Sequence, residues 1–250
     1  MSVDAAALQH AIERLRAASS ICVLSGAGMS AESGIATFRD ALSGLWARFD
    51  PAQLASPEGF RADPSLVWRW YAERRAAVRA AQPNAGHHAL AAFAKRHPGR
   101  LTLVSQNVDD LHQRAGNVDT IRLHGDMLED QWLDACPRAM SCDTAWAAPT
   151  VPPRCEACGN LVRPGVVWFG EALPFVALQA AEQAARSCQA MLVVGTSGVV
   201  WPAAGLAAQA RRAGAFVIIV NPDASDIDGD AQLHLPDTAA RLLPLLLDSL

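Results

Sequence analysis

Four short, mainly apolar runs punctuate the chain, at 21–24 (ICVL), 101–104 (LTLV), 191–194 (MLVV) and 216–220 (FVIIV). An apolar run without polar alternation suits a strand buried on both faces. Between the runs lie stretches in which apolar residues return every three or four positions. Leu8, Ile12 and Leu15 mark an opening helix, and further helical patterns fall at about 64–81, 85–96, 175–187, 202–213 and 238–248. Strands alternating with helices predict an α/β fold, a Rossmann-like parallel sheet with helices on both faces. Ligands of such sheets bind beyond the carboxyl ends of the strands, which directs attention to the residues that follow each apolar run.

Two stretches break the alternation. Residues 40–80 carry Trp46, Trp68, Trp70 and Tyr71 among charged residues and predict a helical insertion. Residues 127–165 are rich in Cys, Pro and Ala with little periodicity, and predict a small inserted module of zinc-binding type, separately stapled. At 250 residues the chain is expected to form one domain, 1–250, that carries both insertions.

Composition narrows the function classes. Hydrophobic residues make up 51% of the chain, enough for a sizeable core, and the formal net charge is −4. Without a run of lysines or arginines there is no basic footprint for nucleic acid, so DNA or RNA is not an expected partner. The N-terminal residues mix apolar and charged positions at helical spacing, unlike a signal peptide, and no segment reaches the length of a membrane span. A cytoplasmic protein with no membrane partner is expected. Its six cysteines are then read as thiols or metal ligands rather than disulfides.

Each predicted strand is followed by polar or small residues. After 21–24 come Gly26 and Gly28, which allow a sharp turn and present N–H groups to a phosphate. The common dinucleotide fingerprint would place a third glycine at Ala31, whereas the next is Gly34, with Glu32 and Ser33 between. After 101–104 comes Gln106-Asn107-Val108-Asp109, amide donors, amide acceptors and a carboxylate together. That mix suits a carboxamide ligand, and it equally suits an Asx turn capping a helix that begins near Asp110. His124 follows an apolar stretch and precedes Gly125, where an imidazole titrating near neutrality could serve as a general base. His10, His87, His88, His97, His112 and His234 are read as structural. Gly195-Thr196-Ser197 and Asn221 place small polar groups after the last two runs.

Taken together, GAGMSAESGIATFR, QNVD, LHG, RPGVVWFGE (163–171), GTS and the Asn221 turn resemble the sirtuins, NAD-dependent protein-lysine deacylases, in the family's order and over nearly the whole chain. The resemblance implies that Gly26, Ala27 and Gly28 cradle the NAD diphosphate, with Glu32 nearby and with Thr37, Phe38 and Arg39 in a mobile cofactor loop. It implies that Asn107, Val108 and Asp109 line the nicotinamide pocket and that Gln106 reaches the ribose. Gly195, Thr196, Ser197, Asn221, Pro222, Asp223 and Ala239 would hold the adenosine half. The backbone of Val167, Trp168 and Phe169 would pair with an extended substrate peptide. The implied catalytic residues are His124 and Asn107: the acyl-amide oxygen attacks the ribose as nicotinamide leaves, and His124 deprotonates a ribose hydroxyl. The products would be nicotinamide, O-acyl-ADP-ribose and free lysine, the partners acylated protein lysines.

Tyr71 and Arg74 lie three apart on one helix face, where a phenol and a guanidinium could clamp a carboxylate or could be a half-buried aromatic beside a surface arginine. The surrounding PxxxWxxYxxR and PNAGHHAL (83–90), with the small Ala55, resemble the sirtuin branch that removes succinyl, malonyl and glutaryl groups. Desuccinylation or demalonylation with retained deacetylation is therefore expected. Gly165 departs from that branch, whose members often carry His there. The family's structural zinc uses two C-x-x-C pairs as four thiolates. Cys155 and Cys158 form one pair, but Trp132 and Ala135 stand where the other is expected, leaving Cys136 and Cys142 as the remaining candidate ligands. Cys22 and Cys188 are read as core residues. Two rival functions stay open at this stage, a protein mono-ADP-ribosyltransferase and a non-catalytic NAD or ADP-ribose sensor. The oligomeric state is open too, a monomer being compatible with the sequence.

Overall fold

The computed structural model describes residues 3–36, 50–135 and 151–250. Its centre is a six-stranded sheet of β1 (Ile21–Ser25), β2 (Leu101–Ser105), β3 (Ile121–Arg122), β6 (Ala190–Val194), β7 (Phe216–Val220) and β8 (Leu233–Leu235). Their spatial order is β3-β2-β1-β6-β7-β8, and every neighbouring pair is parallel. All carboxyl ends therefore point one way, as the alternation of strands and helices predicts.

The four predicted strands form as expected, because helices cover both faces of them. Ile21, Val23, Leu192 and Ile218 join one core with Leu15, Leu90, Phe93, Leu242 and Leu246. These come from helices α1 (Ala5–Ala17), α6 (Ala85–Arg96) and α10 (Ala239–Leu247). The intervening residues Cys22, Leu24, Met191, Val193, Val217 and Ile219 face Ala181, Ala185, Leu206 and Ala207 of α8 (Phe175–Ser187) and α9 (Gly205–Arg212). A strand covered by two apolar layers favours apolar side chains on both faces, and the buried polar residues Ser25 and Ser105 fall at the carboxyl ends. Cys22 and Cys188 are buried in this second layer. Helix starts follow local chemistry: Asp4 accepts from the Ala6 amide, and Asn84 forms a capping box with His87. The helix expected from 202 begins at Gly205, after a turn.

The strands that the pattern does not announce are short or polar. β3 has two residues and β8 three. β4 (Gly125–Trp132) and β5 (Val162–Val166) pair antiparallel as a separate two-stranded sheet, with a register shift between Asp126 and Asp130. The insertion holds α3 (Pro51–Leu54), α4 (Pro57–Ala62) and α5 (Pro64–Ala80), with α2 (Gly28–Ala31) and α7 (Leu111–Arg114) completing the helices described. The two irregular stretches share one core: Leu54, Phe60, Val67, Trp70 and Tyr71 of the insertion pack with Met127, Val166 and Trp168. Arg75 of α5 locks them, donating to the carbonyls of Met127 (2.6 Å) and Glu129 (3.0 Å) and to the Asp130 carboxylate (2.5 Å). Met127 at the start of the cysteine-containing stretch, and Val166 and Trp168 just after it, are thus packed on the helical insertion.

Candidate active site

The loops leaving the sheet continue its ladder for one more rung. Gly26 donates to Val194 O, Gln106 to Ser25 O, Gly195 to Val220 O and Leu123 to Ser105 O, at 2.8–3.0 Å. The glycine turn is then pressed against the loop after β6, with Gly28 donating to Gly195 O at 2.8 Å. A Cβ on Gly28 would lie 2.7 Å from Gly195 Cα, and one on Gly195, whose φ is +61°, would lie 2.4 Å from Met29 N. Only glycine permits that approach on either side. The result is a side-chain-free contact between two loops at the carboxyl ends of β1 and β6, in which the amides of Gly26, Gly28 and Gly195 are all taken by carbonyls of the chain.

Beside it the QNVD loop is pinned by small hydroxyls. Asn107 Nδ2 donates to Ser30 Oγ (3.1 Å), Ser30 Oγ donates to Asp109 Oδ2 (2.9 Å), and the Asn107 amide donates to Ser105 Oγ (3.1 Å). Gln106 Nε2 donates to Thr196 Oγ1 at 3.2 Å, joining this loop to the one after β6. Asp109 also does what an Asx turn does, its Oδ1 accepting from the Leu111 amide at 3.0 Å. Burial raises the Asp109 pKa, opposed by that amide, by Ser30 and by Arg122, while Asp110 adds to the rise. Ser30 was not among the residues anticipated from the sequence. The signal for it is its place in the first turn after Gly28, facing the same loop.

His124 stands between β3 and β4, half-buried, its Nδ1 2.8 Å from Gln106 O. A carbonyl only accepts, so Nδ1 carries the proton and Nε2 keeps its lone pair. Burial lowers the His124 pKa, partly opposed by the same carbonyl. The ring is therefore a neutral, tautomer-fixed base at neutral pH. Behind it, His112 Nε2 meets Ser25 Oγ at 2.9 Å and the rings of His87 and His112 lie 4.8 Å apart. His87 Nδ1 accepts the Asn84 amide. His87 Nε2 and His112 Nδ1 are buried without a hydrogen-bond partner among the described residues.

On the other flank, Ser197 is exposed and its carbonyl accepts the Asp226 amide, while Asn221 Nδ2 donates to Asp223 O at 2.8 Å. Pro222 and Asp223 are exposed beside it. Glu32 and Ala239 meet at the start of α10, where the Glu32 carboxylate caps the Ala240 amide at 2.9 Å and Ala239 is buried against Gly86. Thr37, Phe38, Arg39, Cys136 and Cys142 lie outside the described residues.

The second lobe supplies a wall beside this cluster. Val167 N donates to His124 O and Phe169 N to Ala55 O, both at 2.9 Å, while Trp168 N donates to Glu171. Because these three amides have acceptors within the chain, a peptide paired here would have to offer its own N–H groups. Arg163 holds the segment closed through a two-point contact with Glu171 (2.5 and 2.9 Å) and lies 3.5 Å over the Trp168 ring. Trp168 Nε1 donates to Tyr71 OH at 2.8 Å, and burial pushes the Tyr71 pKa up to about 12. Arg74 lies 4.8 Å over Trp70, its Nε buried and without a hydrogen-bond partner among the described residues. It lines a pocket of about 200 Å³ with Gly34, Ile35, Ala36, Trp70, Glu73, Ala77 and Val78, a lining that does not include Tyr71. A larger open groove, about 790 Å³, lies at the sheet edge between α6 and the 115–120 turn, and its lining includes none of these residues.

The cysteine pair occupies one tight turn. Gly159 N donates to Cys155 O at 2.8 Å and Gly159 has a φ of +76°, so Cys155 and Cys158 lie in a turn that brings their positions close. Such a turn fits half of a tetrahedral thiolate site. At the place expected for the other half, Asn160 grips Asp134 through both its amide atoms.

Comparison with known proteins agrees with this geometry. The Sir2 family profile matches residues 26–202. A protein of Ralstonia nicotianae named NAD-dependent protein deacylase is 54% identical over 244 residues, covering 98% of this chain and 97% of its own. One of the same name from Methylococcus capsulatus is 51% identical, with 94% of each chain covered. Among solved structures, a Sir2 homologue in complex with NAD superposes with a TM-score of 0.84 at 40% identity, covering 96% of this chain and 93% of that one. Sir2Tm bound to a propionylated peptide superposes at 0.81 with 28% identity, covering 97% and 98%. The chain belongs to the Sir2 family.

Proposed function

We propose that this enzyme, an NAD-dependent protein deacylase, prefers lysines carrying acidic acyl groups, succinyl and malonyl, and also accepts acetyl. The observation that carries the preference is Arg74, a half-buried cation at the wall of a pocket that Glu73 also lines, with its Nε buried and unpartnered among the described residues. Burial lowers its pKa, while Tyr71 and Asp109 oppose the shift. A charge desolvated in this way is stabilised by an incoming carboxylate far more than by a methyl group. Tyr71, fixed by Trp168, would complete the clamp.

The cofactor half would lie over the glycine turn already described, where the absence of side chains on Gly26 and Gly28 lets the loops after β1 and β6 close on each other, their own amides being taken by Val194 O and Gly195 O. When bound, NAD supplies a ribose carbon whose pyridinium substituent is a good leaving group. Asn107 and Asp109, held by Ser30, would bind the departing carboxamide and keep water from the ribose. His124 Nε2 would take a proton from a ribose hydroxyl, the role for which its fixed tautomer and lowered pKa suit it. Ser197 and Asn221 would hold the adenosine half. Cys155 and Cys158 would supply two thiolates to a structural Zn²⁺, with Cys136 and Cys142 as the other pair.

The test is a panel of acetyl-, malonyl- and succinyl-lysine peptides assayed with and without NAD, products read by mass spectrometry. Acidic acyl peptides should show the higher kcat/KM, with O-acyl-ADP-ribose formed. Equal or better turnover of acetyl-lysine removes the preference, and an ADP-ribosylated peptide as main product redirects the chemistry.

A further inference from the structure

Arg122 ends β3, two residues before His124. Its guanidinium joins three segments, the end of β3, the start of β4 and the QNVD loop. Nη1 pairs with the Asp126 carboxylate at the start of β4. Nη2 donates to two carbonyls of the QNVD loop, Asp109 O at 2.9 Å and Val108 O at 3.4 Å. The far ends of the clasp are themselves tied: Asp126 Oδ1 accepts the Leu128 amide at 2.8 Å, and Met127 N donates to Val108 O at 2.8 Å. The side chains of Arg122 and Asp126 are only 21% and 20% exposed, so the pair is shielded from the screening that weakens surface ion pairs.

The loop is therefore gripped from two sides. Ser30 and Ser105 hold Asn107 and the Asp109 carboxylate from within, and Arg122 holds the backbone carbonyls of Val108 and Asp109 from outside. A planar guanidinium can satisfy a carboxylate and two carbonyls at fixed separations, whereas an ammonium is a point charge on a flexible stem. The same strand end that sets the position of His124 thus sets the position of the loop opposite it.

We propose that Arg122 is a positioning residue for deacylation: its clasp on Asp126 and on the Val108 and Asp109 carbonyls fixes the spacing between the nicotinamide-binding loop and His124. The inference rests on the assignment of Asn107 and Asp109 to the nicotinamide pocket. A misplacement of about an ångström at reacting groups costs up to about a hundredfold in rate. Arg122→Leu should lower kcat and the nicotinamide-exchange rate about tenfold and raise the inhibition constant of nicotinamide by a similar factor. Affinity for ADP-ribose should stay within about twofold, because Arg122 touches neither the glycine cradle nor Ser197 and Asn221. Arg122→Lys keeps the charge beside Asp126 and should recover part of the loss.

Asn107→Ala separates the two levels of the inference. If it leaves nicotinamide inhibition unchanged, the pocket assignment fails and the clasp with it. If it abolishes inhibition while Arg122→Leu does not alter it, the clasp alone fails. A parallel fall in ADP-ribose affinity, kcat and melting temperature in Arg122→Leu, with no recovery in Arg122→Lys, would make Arg122 a fold contact and overturn the proposal. Should Arg122→Leu not fold, Arg122→Lys carries the same readouts: an unaltered nicotinamide inhibition constant and kcat would then reject it.

Discussion

The two sides of the cleft are built by different means. On the sheet side, position is set by backbone: strand ends one rung apart, two glycines in contact, and short hydroxyls of Ser30, Ser105 and Thr196. On the side of the second lobe, position is set by large side chains, Trp70, Tyr71, Arg74, Arg163 and Trp168, stacked and hydrogen-bonded to one another. Backbone geometry leaves almost no freedom to substitute, while a stack of side chains can be altered one member at a time. Under the proposed assignment, the cofactor half would be rigid in its requirements, and the acyl half would be where specificity can be tuned.

Four experiments press on that contrast. The largest effect is expected at His124. His124→Ala should reduce turnover by about 10²–10⁴ with NAD affinity within about twofold, measured by single-turnover kinetics and calorimetry. Undiminished deacylation would remove His124 as the base. Next comes the interlocked glycine pair. Gly28→Ala must place a Cβ 2.7 Å from Gly195 Cα, so turnover should fall by up to about a hundredfold, the cost of displacing reacting groups by an ångström. Near-normal turnover would show that the turn yields more readily than a backbone contact should.

The third effect concerns the buried imidazoles beneath the sheet side. Burial holds the His87 pKa down to about 4, with His88 adding to the shift, and holds His112 down to about 3, with His87 and Arg122 adding. The unfolded chain takes up these protons near pH 6.5. Their contribution to stability is therefore complete above about 6.5 and is lost as pH falls through the window down to the folded values. At pH 5 the loss is on the order of 2 kcal/mol for each histidine. Urea midpoints at pH 7 and 5 measure it, and His87→Gln should flatten the dependence.

The smallest effect belongs to the other side of the cleft. Arg74→Met should raise KM for succinyl-lysine about tenfold, the worth of a charge-assisted contact, and spare acetyl-lysine. Equal losses on both substrates would mean that the stack supports the cleft as a whole instead of reading the acyl group. Arg74 is a cleaner probe than Tyr71, because removing the phenol also strips Trp168 Nε1 of its acceptor.

Gly165 illustrates how the two constructions meet. It lies opposite Asp126 at the register shift of β4 and β5, and a Cβ there would sit 3.1 Å from Asp126 O and 3.2 Å from Glu129 O. The backbone bulge leaves little room for the side chain that relatives of the acidic-acyl branch often carry. Across the same interface, a Cβ on Gly125 would fall 2.2 Å from Gly165 O.

Much of this molecule is written locally. The runs at 21–24, 101–104, 191–194 and 216–220 specify buried strands because two apolar layers demand residues on both faces, and the loops that follow them carry the site for the same topological reason. That Gly26, Gly28, the QNVD loop and His124 would gather at the strand ends was legible on those grounds. Pairings between distant segments were not. That Ser30 would bridge Asn107 and Asp109, that Arg122 would span three segments, and that the helical insertion would share a core with β4 and β5 depends on contacts between residues far apart in the chain. Periodicity reports which face of an element is apolar. It carries no information about which other element that face will meet, and only the folded arrangement decides it.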